Sequence, residues 1–205
     1  MLEFYKNNAN VNFILKNAYQ GSQISEMDVI NHPKRCNHIG SISNIDYNQV
    51  ASDLCEGPIV WVSGKSEIGP RALGHRSLLI DPRYQKSKDQ LNKIKQREWW
   101  RPVAPIVLEE FMSDWFVDGF PSPYMLHAFH IHPDKKENVK AIAHLDGTAR
   151  IQSLSLVQNK ELYYVIKAFF KKTGIPMIGN TSLNDKGEPI IESFSQALDF
   201  ALRKK

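Results

Sequence analysis

Short apolar runs alternate with polar, helix-compatible segments along this chain. Residues 1–20 are polar and Asn-rich, with a brief apolar periodicity at Val11, Phe13, Ile14 and Leu15 that suits a short helix or a strand. SQISEMDVINHP then reads as a helix, with Ser22 or Ser25 as cap, acidic Glu26 and Asp28 in the first turn, and Pro33 as its close. NIDYNQVASDLCEG places Ile45, Val50 and Leu54 on one helical side and stops at Gly57. PIVWVSG is β-branched, bounded by Pro58 and Gly64, and predicts a buried strand. RYQKSKDQLNKIKQREWWRP predicts a basic amphipathic helix that ends before Pro102, because proline disfavours helix in the residue it follows.

VAPIVLEEFMSDWF begins as a strand and turns helical near Glu109. SPYMLHAFHIHP alternates as a strand, with Met125, His127, Phe129 and Ile131 on one side. AIAHLDGTARIQSLSL reads as a hairpin, its two arms flanking the turn pair Asp146-Gly147. NKELYYVIKAFFKKTG is an amphipathic helix stopped by Gly174. IPMIGNTS is a buried strand, LNDKGEPII a turn with a further strand, and SFSQALDFALRKK a last helix capped by Ser193 or Ser195. Five or six strands mixed with four or five helices, some strands paired as hairpins, predict an α/β (α+β) chain. Its sheet is mixed, with flanking helices, and it forms a single domain.

Composition narrows the function classes. The 205 residues are 42% hydrophobic, enough for a sizeable core, yet no run of 18 apolar residues is present. No basic stretch followed by an apolar run opens the chain, so no signal peptide is visible. Cys36 and Cys55 form no CxxC pair, which fits free thiols and a cytoplasmic setting. A net charge of +4 admits nucleic acid, acidic lipid or a phosphorylated small molecule as partner. Where the arginines sit decides among these.

Four segments carry candidate chemistry. GKSEIGPRALGHRSLLIDPR combines glycines, which let backbone amides approach a ligand, with Arg71 and Arg76, which suit bidentate phosphate contacts. It lacks the spacing of a Walker A loop, and by itself it also reads as a basic surface turn. NKIKQREWWRP offers Lys95, Arg97 and Arg101 as a cationic wall around Trp99 and Trp100, the tryptophans being expected in the core. HLDGTARIQ raises Arg150 from a strand just past a tight turn, and its His144 is expected to be structural. GNTSLNDKGEP sets Asn180, Thr181 and Ser182 at a strand end, where small hydrogen-bonding groups hold a planar polar group or a phosphate, or simply make a turn. His127, His130 and His132 have no carboxylate or cysteine cluster nearby in sequence, and no protein-bound metal is expected. No Ser-His-Asp order is apparent. Arginine, lysine, asparagine, serine and threonine suit phosphate binding and electrostatic stabilisation of phosphoryl or nucleotidyl transfer better than covalent catalysis.

These segments, with LNKIKQREWWRPVAPIVLEE, SPYM and GIPMIGNTSLNDKGEPI, occur in an order that resembles the C-terminal, YrdC-like domain of the O-carbamoyltransferases of nodulation-factor and antibiotic biosynthesis. The resemblance covers roughly residues 17 to 200. It implies a YrdC-like twisted mixed sheet over residues 21–205, with residues 1–20 as an extension or linker. It also implies ATP and Mg²⁺ as cofactors, and conversion of ATP and carbamoyl phosphate to carbamoyl adenylate. By motif position, Arg71, Arg76, Lys95, Arg101, Arg150, Asn180 and Ser182 hold ATP and carbamoyl phosphate, and Arg71, Lys95 and Arg150 take the catalytic roles.

In the family a separate N-terminal domain with a histidine-bound metal passes the carbamoyl group to an acceptor hydroxyl. The chain begins at Met1 where the family's second domain begins, which implies either a transfer domain supplied as a separate protein or a shortened chain. The alternative is a nucleotide- or RNA-binding module without turnover. Nucleic acid is the less expected partner, because the basic residues interleave with tight turns and not with exposed aromatics. No membrane partner is expected.

Overall fold

The computed structural model describes residues 17–31 and 44–204. Its centre is a six-stranded mixed sheet, as the alternation of strands and helices predicts. The strands are β1 (Ile59–Val62), β2 (Arg76–Ile80), β3 (Ala104–Leu108), β4 (His127–His130), β5 (Thr148–Leu154) and β6 (Met177–Ser182). In space they run β1-β2-β6-β3-β5-β4; β3 and β5 are parallel and every other neighbouring pair is antiparallel. All five residues of β2 and all five of β3 are buried, as expected of interior strands covered on both faces.

The helices are α1 (Glu26–Ile30), α2 (Tyr47–Glu56), α3 (Gln85–Ile94), α4 (Met112–Trp115), α5 (Lys160–Thr173) and α6 (Phe194–Arg203). In α5 the buried residues Leu162, Val165, Ile166 and Phe169 repeat at three, one and three positions and form one apolar stripe. The Asn159 side chain accepts from the Leu162 amide at its start, and Gly174 closes its end at φ 75°, a left-handed conformation that costs a glycine little. Ser25 caps α1 and Ser193 caps α6, each within a capping box. Among the described residues no helix is long and apolar enough to cross a membrane.

Several elements differ from the pattern. The first arm of the 141–156 hairpin is a turn: the Ala141 amide bonds to the Pro82 carbonyl and Ile142 to Val139, so β5 pairs with β4 instead. No strand follows β6, because Glu188 closes a tight turn on Asp185, Pro189 has no amide to donate, and only the Ile191 to Leu183 bond continues the ladder. Strand β1 forms the sheet edge, and only Trp61 of its four residues is buried. On β4 His127 is exposed while Phe129 is buried, and Met125 and Ile131 are buried beside it. Helix α3 stops at Ile94, well short of Pro102, with Gln96 at φ 51° breaking the spiral. Cys55 is a half-buried free thiol; Cys36 and Pro33 lie outside the described residues.

The sheet topology positions the chemistry. Ala104 at the start of β3 pairs with Asn180, and Ser77 at the start of β2 pairs with Ser182 at the end of β6. Because β3 and β5 are parallel, the starts of β2, β3 and β5 and the end of β6 all meet at one end of the sheet.

Candidate anion-binding cleft

Two loops and two strands therefore converge: loop 63–75 before β2, loop 95–103 before β3, β5 at Arg150, and Asn180–Ser182 of β6. Between them lies a cleft of about 450 Å³. Arg71, Arg97, Arg101, Arg150, Asn180, Thr181 and Ser182 line it, with Pro70, Ala72, Pro102, Ala104 and Met125 filling between them. Four guanidinium groups face it and no carboxylate lines it.

Each wall is held from behind. Glu67 Oε1 accepts from the amides of Leu73 at 2.6 Å and His75 at 2.9 Å, which folds loop 63–75 so that Arg71 stands exposed at its tip. Residues 18–22 run against the same loop: the Gly21 amide donates to the Ser66 carbonyl, the Ser66 amide to the Ser22 carbonyl, and the Ile68 amide to the Ala18 carbonyl. The Asn92 amide donates to the carbonyls of Trp99 at 2.9 Å and Arg101 at 3.2 Å, and its oxygen accepts from Arg97 Nε at 2.6 Å. One buried asparagine on α3 thus fixes the loop that bears two of the four arginines. Arg97 also donates to the Thr181 hydroxyl at 3.2 Å, which ties that loop to β6.

The electrostatics of the cleft are unfavourable as they stand. Burial, then the neighbouring Arg101 charge, lowers the Arg97 pKa to about 10. Burial, then Arg71, lowers that of Arg150. Arg150 Nε and Asn180 Oδ1 are buried without a hydrogen-bond partner. Desolvated like charges and unpaired polar atoms around one concavity suit an anionic ligand that supplies both counter-charge and hydrogen bonds.

Of the residues the sequence nominated, Arg71, Arg101, Arg150, Asn180 and Ser182 meet in the cleft. Arg76 does not. Its side chain is wholly buried and its guanidinium donates to the carbonyls of Ser63, Gly64, His75, Ser22 and Glu192, leaving no donor for a ligand. Lys95 is buried behind Ser182, where Nζ donates to the Ser182 carbonyl and hydroxyl and to the Asn184 carbonyl and side-chain oxygen. It positions Ser182 and does not line the cleft. Arg97 lines the cleft although the resemblance did not single it out; its place two residues beyond Lys95, past the end of α3, is the signal that identifies it.

Trp99 and Trp100 are exposed, contrary to the core placement expected for them, because α3 ends before it reaches them. Arg101 lies 5.4 Å from the Trp100 ring and bonds Glu98, whose second oxygen takes Lys186. A bond to its own backbone amide, then those two cations, pulls the Glu98 pKa down to about 2. Among the described residues no three His, Cys, Asp or Glu side chains are placed to hold a metal ion.

The family described as Carbamoyltransferase C-terminus matches residues 51–205. Nodulation protein NolNO of Sinorhizobium fredii is 40% identical over 172 residues, covering 80% of this chain and 24% of that protein. Nodulation protein NolO of Bradyrhizobium diazoefficiens is 42% identical, covering 78% of this chain and 30% of that protein. The 3'-hydroxymethylcephem-O-carbamoyltransferase of Amycolatopsis lactamdurans is 38% identical, covering 74% and 29%. The chain therefore spans 24–30% of the length of these relatives. Its fold matches part of full-length HypF, solved in a phosphate- and nucleotide-bound form, at a TM-score of 0.54 and 18% identity, over 80% of this chain and 20% of that one. The mixed sheet with flanking helices is thus the YrdC-like fold that the sequence implied.

Proposed function

From its place in the Carbamoyltransferase C-terminus family, to which this chain belongs, we propose that it forms carbamoyl adenylate from carbamoyl phosphate and MgATP. Transfer to an acceptor hydroxyl then falls to a separate metal-binding domain or partner protein. The observation that carries this reading is the convergence of four guanidinium groups on a cleft with no carboxylate in its lining. Water releases phosphate from carbamoyl phosphate and leaves carbamate. A carbamate oxygen attacks the α-phosphorus of ATP, the bond to the β-phosphate oxygen breaks, and pyrophosphate departs.

Negative charge accumulates on the phosphate oxygens throughout, where Arg71, Arg97, Arg101 and Arg150 stabilise it. Mg²⁺ enters on the triphosphate as part of the substrate, since the cleft lining offers no carboxylate to hold it. Asn180 and Ser182 present small polar groups for the carbamoyl or phosphate oxygens. Lys95 acts from behind by fixing Ser182. The setting we propose is cytoplasmic.

The test is release of pyrophosphate from ATP by the purified chain, with and without carbamoyl phosphate. Parallel samples contain the N-terminal portion of a relative such as nodulation protein NolO. Release that depends on carbamoyl phosphate, and falls by about 100-fold or more in Arg150→Ala, is expected for the loss of one transition-state cation. No such release in any sample overturns the reading. Exposed Trp99 and Trp100 beside the arginines favour a second one, a nucleotide- or RNA-binding module without turnover. Its mark is salt-dependent RNA binding with no pyrophosphate release.

A further inference from the structure

The two halves of loop 63–75 are anchored differently. The later half sits on the core: Asn180 Nδ2 donates to the Ala72 carbonyl at 2.9 Å, Gln152 Nε2 to the Leu73 carbonyl at 2.8 Å, and Trp61 Nε1 to the Gly74 carbonyl at 2.9 Å. The half that leads to Arg71 lies instead along residues 18–24, which form a strap beside it. The Ile24 amide donates to the Gly64 carbonyl, Gly21 to Ser66, Ser66 to Ser22, and Ile68 to Ala18, a short backbone ladder. At Gly21 the two segments approach so closely that an added Cβ would collide with Ser66 Oγ and come within 3.0 Å of the Ser66 carbonyl oxygen.

One side chain of the strap ties the halves together. The Tyr19 ring stacks on His75, with centroids 4.0 Å apart and planes 17° from parallel, and its hydroxyl donates to the Leu73 carbonyl at 3.2 Å. Burial, then the charge of Glu67, raises the phenol pKa, so the hydroxyl keeps its proton. Ala18 and Tyr19 pack against the small buried cluster of Leu73, Ala104 and Met125, and Ala104 and Met125 line the arginine cleft. Ala18 also lines an adjoining concavity together with Arg71 and Arg150. The family match begins at residue 51, so it assigns the strap no part in the site.

We infer that the strap belongs to the working site, with Tyr19 as a positioning residue that holds loop 63–75 so that Arg71 faces the cleft. A cation at the tip of an exposed loop binds an anion well only if it is ordered beforehand, because ordering it on binding costs affinity. The strap supplies that order from the solvent side, while the core supplies it from below. Tyr19 itself touches no ligand; it acts through Leu73 and His75. This inference rests on the arginine cleft being an anion site, and it adds to that site a segment outside the family match.

Calorimetric titration of the full chain with inorganic triphosphate tests it, in a double-mutant cycle of Tyr19→Ala with Arg71→Met. In the wild-type background Tyr19→Ala weakens binding about tenfold, through misplacement of one cation. In the Arg71→Met background it changes binding by less than about twofold, since no cation is left at that position to misplace; residues acting independently would add. Tyr19→Phe keeps the stack, loses one hydrogen bond and stays within about threefold of wild type. Gly21→Ala displaces the strap at another point and gives the same pattern, and it decides the matter if Tyr19→Ala does not fold. Undiminished binding in Tyr19→Ala overturns the inference and leaves the arginine cleft standing. An equal loss in both backgrounds also overturns it, because the strap then serves only general stability. So does Arg71→Met that binds triphosphate as well as wild type does. Wild-type protein that binds no triphosphate overturns the cleft reading and this one with it.

Discussion

Arg71 and Arg76 lie five positions apart in one glycine-rich stretch, and the structure gives them opposite tasks. Arg71 is exposed at the loop tip and faces the cleft. Arg76 opens β2, a strand buried on both faces, and its five donors tie residues 22, 63, 64, 75 and 192 together. A charge in such a place persists only when every donor is used. Arg76→Met is therefore expected to lower folding stability by about 3 kcal/mol, through the loss of several charge-assisted bonds. Arg71→Met is expected to leave stability within about 0.5 kcal/mol, as for an ordinary surface change. Urea unfolding of the two variants checks both.

Lys95 makes a second prediction at this scale. Burial, then the nearby Arg97, lowers its pKa to about 7, whereas an unfolded lysine titrates near 10.4. Between those values the unfolded chain binds the proton and the folded chain does not, so this residue's contribution makes stability rise with pH from about 7 upward. Lys95→Met removes that contribution. Urea midpoints measured between pH 7 and 9 should rise less steeply with pH in the variant than in the wild type; equal slopes would count against it.

At the scale of elements, what the sequence shows depends on how local the cause is. Capping serines, Gly57, Gly174 and the apolar stripe of α5 act within a few residues, and each lies where the pattern puts it. The end of α3 is different. A continuous helix to Pro102 satisfies periodicity, but Gln96 turns left-handed and Asn92 takes over the carbonyls of Trp99 and Arg101. That choice depends on contacts with β6, through Arg97 and Thr181, which no local pattern contains. It is also why Arg97 enters the cleft and the tryptophans leave the core. Asn92→Ala should loosen this loop and weaken triphosphate binding about tenfold, through the misplacement of two cationic contacts. Circular dichroism should show the helices retained. Unchanged binding would mean that the loop holds its shape without Asn92.

Across the whole molecule, the mixed sheet brings segments from four parts of the chain to one end, and this is what gathers scattered arginines around one cleft. Arg71, Arg101, Arg150, Asn180 and Ser182 were legible because each sits beside a turn or strand end with glycine, proline or small polar neighbours. Arg76 and Lys95 carry the same signal in sequence, but which way a long cation points is decided by tertiary contacts. The strap at residues 17–24 likewise shows no motif of its own, yet it supplies the Ser22 carbonyl to Arg76 and packs Tyr19 on His75 at 4.0 Å between ring centroids.

The central claim is that this assembled cleft makes an acyl adenylate. It is tested most directly by exchange of labelled pyrophosphate into ATP, run with and without carbamoyl phosphate and with the N-terminal portion of a relative present in parallel. The account predicts exchange that requires carbamoyl phosphate and disappears in Arg150→Ala. Absence of exchange under every condition, or exchange indifferent to carbamoyl phosphate, would contradict it.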